Sequence, residues 1–243
     1  MATHKVVRHD AWVEARKKHL VKEKEFTRLR DQLSRERREL PWELVEKDYV
    51  FADEHGRQSL AELFEGRGQL VIYHAMFNPE TAGPSTSWTK DAVCFVCSFW
   101  MDNFNGITVH LNHRDITMAA VSHAPVAALA AYKKRMGWSF PWYSSVGSDF
   151  NFDYRVSFTE AELQAEKVDY NYRMNPSPER SEMPGISVFL KDDDGRIFHT
   201  YSTYARGLDM LNVAYHYMDL VPKGRDEAEI GPMWIRRRDE YPE

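Results

Sequence analysis

The sequence holds two cysteines in 243 residues, and both fall in one pair, Cys94-Phe95-Val96-Cys97. Disulfide exchange needs a thiolate nucleophile and a second thiol close enough to resolve the mixed disulfide. A two-residue spacer across the start of a helix supplies that proximity. The unpaired N–H groups and positive dipole end of a helix N-terminus favour the thiolate, so Cys94 reads as the attacking sulfur. Cys97 lies one turn further, sharing an apolar face with Trp100, Met101 and Phe104 at helical spacing, and reads as the resolving thiol. Zinc uses the same spacing, but a structural zinc site wants four protein ligands and no second cysteine pair exists. His110 and His113 lie past the helix end that Asn105-Gly106 offers, so neither a metal nor another cofactor is expected. Inert buried thiols are the plainer alternative.

The elements around the pair must place it. Gln69 to Phe77 is almost continuously apolar between Gly68 and Pro79, which predicts a central strand covered on both faces. A polar loop of roughly sixteen residues, long for a connection, leads from it to Cys94. Asp115 to Ser122 reads as a second buried strand, Pro125 to Met136 as a helix closed by Gly137, and Pro141 to Ser145 as a third strand. Gly147 to Pro184 reads as an irregular insertion with one short helix after Thr159, whose Glu162 completes a capping box. Ile186 to Leu190, a turn at Asp193-Asp194-Gly195 and Arg196 to Tyr201 form an antiparallel pair. Leu208, Leu211, Tyr215 and Met218 then mark a closing helix. The order predicts an α/β domain over residues 42–221, with a central mixed sheet flanked by helices.

The ends differ from this body. Asp10 to Leu40 lacks Gly and Pro and stops at Pro41, giving a long helical arm within residues 1–41. Trp12, His19, Phe26, Leu33 and Leu40 recur every seven residues, with Ala15 and Leu29 beside them and Lys22 and Glu36 interrupting. The arm reads as lying on the body, with a homodimer through this stripe as the sharper alternative. Trp42 to Phe51 and the turn at Glu54–Arg57 suggest an edge hairpin, and Ser59 to Glu62 a capped short helix. Residues 222–243 read as a charged tail without periodicity.

Other residues bear on the site. A cis Met183-Pro184 bond would lay a loop, and with it a substrate-binding edge, against the cysteine helix. His74 ends the central strand and could tune the thiolate if it faced the pair, although a satisfied structural histidine is the commoner case. Lys90 and Asp91 precede Cys94 and could tune it in opposite directions, although loop charges are usually solvated. The aromatic run from Trp138 to Tyr154 could line an apolar groove but more simply builds core.

In this order, the strand, Cys-x-x-Cys at a helix start, βαβ unit, Met-Pro and closing hairpin and helix resemble the thioredoxin superfamily over about residues 69–220. A closer resemblance lies in Glu43 to Phe51, Ser144 to Asp149 and His199 to Gly207. These stretches look like a bacterial family of unknown function whose members are described as predicted dithiol-disulfide oxidoreductases. The resemblance implies a thioredoxin-like fold with an added N-terminal helix and an insertion before a cis-Pro loop. It also implies roles for Cys94, Cys97 and Pro184. Val93 and the Phe95-Val96 spacer depart from the thioredoxin motif, so the direction of electron flow is open. Asp91 and Ser87 stand where the peroxiredoxin pattern has Thr or Ser and Pro, which weakens a thiol peroxidase reading. A non-catalytic binding module or redox sensor is the rival from another class.

Composition narrows the partners. A net charge of -5 offers nucleic acid and anionic lipid no attraction, and two cysteines do not make a stapled secreted scaffold. No run resembles a signal segment or a membrane span, and a cytoplasmic protein is expected. Its partners would be a protein or small-molecule disulfide or thiol and an external electron donor.

Overall fold

The computed structural model describes residues 4–165, 167–229 and 231–242, and the chain divides into two units, Met1–Pro41 and Trp42–Glu243. In the first, α1 (His9–Arg38) places Asp10 in its first turn and Arg35, Arg37 and Arg38 in its last, the polarity that suits the helix dipole. None of its side chains is buried.

In the second unit, β4 (Gln69–His74) pairs in parallel with β5 (Ile116–Ser122) and antiparallel with β9 (Gly185–Lys191), and β9 pairs antiparallel with β10 (Ile197–Tyr204). The strand order β10-β9-β4-β5 is that of a thioredoxin-like fold, with α2 (Phe95–Met101) and α3 (Phe104–His113) in the β4–β5 crossover. Beyond β5 come β6 (Trp142–Ser144) and the hairpin of β2 (Val50–Asp53) and β3 (Gly56–Ser59). β1 (Glu43–Leu44) joins β10 at the other edge, so the stretch expected to form one edge hairpin feeds both edges.

Strand alternation decides what β4 offers each side. Leu70 and Ile72 pack into one core with Phe51, Phe150 and Phe189. Tyr73 points into the other, which contains Cys94, Cys97, Trp100 and Met101. α4 (Val126–Met136) covers that second face and ends at Gly137, whose φ of 62° is the left-handed geometry glycine adopts freely.

Several expectations shift. The cysteine helix ends at Asp102-Asn103 rather than Asn105-Gly106. The Asn103 side chain bonds the carbonyls of Phe99 and Trp100, and Asp102 accepts from Trp138, so the chain breaks there and re-enters helix as α3. The insertion is more ordered than its sequence suggests. It contains α5 (Phe150–Asp153), α6 (Glu160–Gln164) with the Thr159/Glu162 capping box, and a separate hairpin of β7 (Lys167–Tyr170) and β8 (Arg173–Pro176). The closing helix is split into a 3₁₀ stretch, Ala205–Leu211, and α7 (Val213–Met218), because Asn212 caps the second piece through Tyr215 N–H.

The Met183-Pro184 bond is trans, as are all peptide bonds among the described residues, which corrects the expected cis proline. The loop is held instead by Met183 N–H on the Val156 carbonyl at 2.8 Å and Tyr170 Oη on the Pro184 carbonyl at 2.7 Å. Gly185 follows because a Cβ there would sit 2.7 Å from Cδ1 of Tyr204.

Candidate functional site

Cys94 is the N-cap residue of α2, and Cys97 lies in its first turn. The backbone fixes both. Cys94 N–H bonds the Met76 carbonyl at 3.0 Å, tying the helix start to the end of β4, and Ser98 N–H closes the first turn on the Cys94 carbonyl at 2.8 Å. Arg237 reaches back from near the C-terminus to donate to the Val93 carbonyl at 2.8 and 3.2 Å, and Ile235 beside it is fully buried. Residues 234–237 therefore pack on the unit, a role their charge pattern did not suggest.

Both thiols are free and 0% exposed, while Phe95 and Val96 are half-buried. Burial pushes the Cys94 thiol up, but donors outweigh it: the Cys97 thiol, the Ser87 hydroxyl at 2.9 Å, and the backbone N–H groups of Cys97 and Val96. Together they bring it down to about 7. Cys97 goes the other way. Burial and its bond to Cys94 raise it well above an ordinary thiol, opposed by the Tyr73 hydroxyl and Met76 N–H, the latter 3.4 Å from its sulfur. The two thiols are thus shifted in opposite directions, Cys94 down and Cys97 up.

The remaining candidates separate. His74 faces the opposite side of the sheet from the cysteines, stacked on Phe150 and Tyr154, with Nε2 2.9 Å from Ser187 Oγ. Alternation along β4 gives the cysteine side to Tyr73 instead, a residue that the sequence reading passed over. Lys90 is exposed on the preceding loop, and it is Ser87, not Lys90 or Asp91, that touches the Cys94 sulfur. Pro184 is tied through its carbonyl to Tyr170, whose hydroxyl is raised chiefly by burial. The Trp138, Phe140 and Trp142 rings are core. His110 and His113 are exposed on α3, and no group of three or more His, Cys, Asp or Glu suited to a metal occurs among the described residues.

Val96 also lines a cleft of about 650 Å³ with Trp100, Tyr215 and Pro232. A second buried polar group lies before the Met-Pro loop. Glu182 accepts from Ser157 at 2.7 Å and bonds the side chains of Asn78 and Asn151, yet burial carries its carboxyl up to about 8.

No helix among the described residues is long and apolar enough to cross a membrane. None of the curated proteins matches the chain significantly. Among solved structures, it is similar to peroxidoxin BcpB from Mycobacterium tuberculosis, at 15% identity over 70% of this chain and 92% of that one, TM-score 0.39. It is also similar to peroxiredoxin Q from Xanthomonas campestris, at 14% identity over 68% and 88%, TM-score 0.39. A third is the mitochondrial 2-Cys peroxiredoxin of Plasmodium falciparum, at 11% over 73% and 93%, TM-score 0.39. The family described as "Bacterial protein of unknown function (DUF899)" matches residues 1–241, and the chain belongs to it.

Proposed function

For this member of a family without a known function, we propose thiol–disulfide exchange through Cys94 and Cys97. The observation that carries the reading is the convergence of the Ser87 hydroxyl, the Cys97 thiol and two backbone N–H groups on Cys94 Sγ. A thiol brought to about 7 is substantially ionised at neutral pH and remains a good nucleophile. Its thiolate attacks one sulfur of a substrate disulfide. The substrate S–S bond breaks, a Cys94 mixed disulfide forms, and the departing thiolate takes a proton. Cys97 then loses its proton and attacks Cys94 Sγ, which releases the second substrate thiol and leaves a Cys94–Cys97 disulfide. An external dithiol returns the pair to its reduced state.

Met183 and Pro184 would form the edge against which the substrate lies, supported by the Tyr170 tie to the Pro184 carbonyl. A cytoplasmic setting fits a chain whose two cysteines are both free. Trapping tests the reading. Cys97→Ser should accumulate a mixed disulfide that identifies the substrate by mass, and Cys94→Ser should abolish reduction of insulin disulfides. If the wild type reduces insulin no faster than Cys94→Ser, and Cys94 resists alkylation at neutral pH, the protein is a binding module instead.

The complete burial of both sulfurs favours a second reading, a small oxidant. In that case Cys94 thiolate attacks a peroxide oxygen, the O–O bond breaks, and a Cys94 sulfenic acid and an alcohol or water result. Cys97 condenses with the sulfenic acid, releasing water. Peroxide consumption with dithiothreitol, faster than insulin reduction and lost in Cys94→Ser, would select this reading.

A further inference from the structure

The exchange chemistry leaves α1 unused. Trp12, Phe26, Leu29 and Leu33 are each 50 to 61% exposed along one stripe of a 30-residue helix. An apolar seam of this kind is normally covered by another helix, and the charges beside it identify which one.

We propose that α1 pairs antiparallel with α1 of a second copy of this chain, in the register that sets Phe26 against the second copy's Leu29. In that register the polar interruptions of the seam fall on complementary partners. His19 meets Glu36, and Lys22 lies along Leu33, where its aliphatic stem packs and its ammonium reaches water. On the flanks Glu23 meets Arg30 and Lys18 meets Glu39. Arg16 opposite Arg37 is the one like-charge contact among these, and Arg16 is already bound to Glu23 of its own helix at 2.7 Å. Each contact occurs twice by the two-fold symmetry. A parallel, in-register pair would set Lys22 against Lys22 and Glu36 against Glu36 inside the seam, where like charges cost most. The charges therefore favour the antiparallel pair.

The two orientations give Glu23 different partners, which makes a charge swap decisive. Antiparallel, Glu23 faces Arg30; parallel, Glu23 faces Lys18 and Arg30 faces Glu25. Sedimentation equilibrium of the full chain should show a wild-type dimer, about tenfold weaker in Glu23→Arg. Association should return in the double variant Glu23→Arg/Arg30→Glu. Phe26→Glu, at an exposed helical position, should leave a folded monomer by circular dichroism. A double variant weaker than Glu23→Arg would overturn the register. A monomeric wild type, or a dimer indifferent to all three variants, would overturn the pairing altogether.

Discussion

Tyr73 and His74 are adjacent on β4 and face opposite sides of the sheet, and each side buries a titratable group with a different outcome. On the Tyr73 side, donors aimed at Cys94 hold a buried thiol at about 7. On the His74 side, burial takes the imidazole down to about 3, helped only by the nearby His199, and Nδ1 has no partner. Burial is common to both. What differs is whether the surroundings stabilise the charged form, and only the first arrangement brings a buried group to titrate near neutral pH.

Glu182 gives the largest test of that contrast. Ser157, Asn78 and Asn151 bond it and the His123 imidazole lies 3.8 Å away, yet it still rises to about 8 from an ordinary 4.5, so these partners fall short of the cost of burial. The folded state keeps this proton after the unfolded chain has lost it. The contribution of this group to stability is therefore fully present below about 4.5 and is lost as pH rises toward about 8. Glu182→Gln cannot ionise, and at pH 8 it should be the more stable protein, by an amount on the order of a few kcal/mol. Urea unfolding of both proteins from pH 5 to pH 8.5 measures this. Parallel curves would mean that the carboxyl is already ionised in the folded state.

Ser87 gives a smaller effect on the cysteine side itself. Ser87→Ala removes one donor to the thiolate at a position that is not fully buried. The midpoint of Cys94 alkylation should move up from about 7 by roughly one unit, slowing alkylation at pH 7 several-fold. An unmoved midpoint would assign the lowering to Cys97 and the backbone alone.

Much of this was legible in the sequence, and the rest was hidden for identifiable reasons. The run Gln69 to His74 announced its strand because both faces are covered, and Gly137 announced its helix end because only a left-handed residue fits. The pair and its helix were visible in the spacing of Cys97, Trp100 and Met101, and Phe104, one break further on in α3, is buried with them. Sequence alone could not decide which face His74 takes, since a continuous apolar run carries no period-two signal. Ser87 was invisible because only the fold of the loop brings it back to Cys94 from seven positions away. Arg237 stands in a charged tail without periodicity, and a charge run is silent about a single guanidinium that finds a carbonyl 144 positions away.

The finest test acts on the far side. His74→Phe keeps a ring to stack on Phe150 and Tyr154 while removing the imidazole. Folded His74 resists protonation down to about 3, whereas the unfolded chain takes the proton near 6.5, so the His74 contribution to wild-type stability should be lost as pH falls through that window. The phenylalanine variant should lose less over the same range, partly offset by leaving Ser187 one hydrogen-bond partner short. The midpoint of Cys94 alkylation should stay at about 7, because the sheet separates His74 from the donors that set it. A shift of that midpoint in His74→Phe would show the two faces to be coupled and would break the contrast between them.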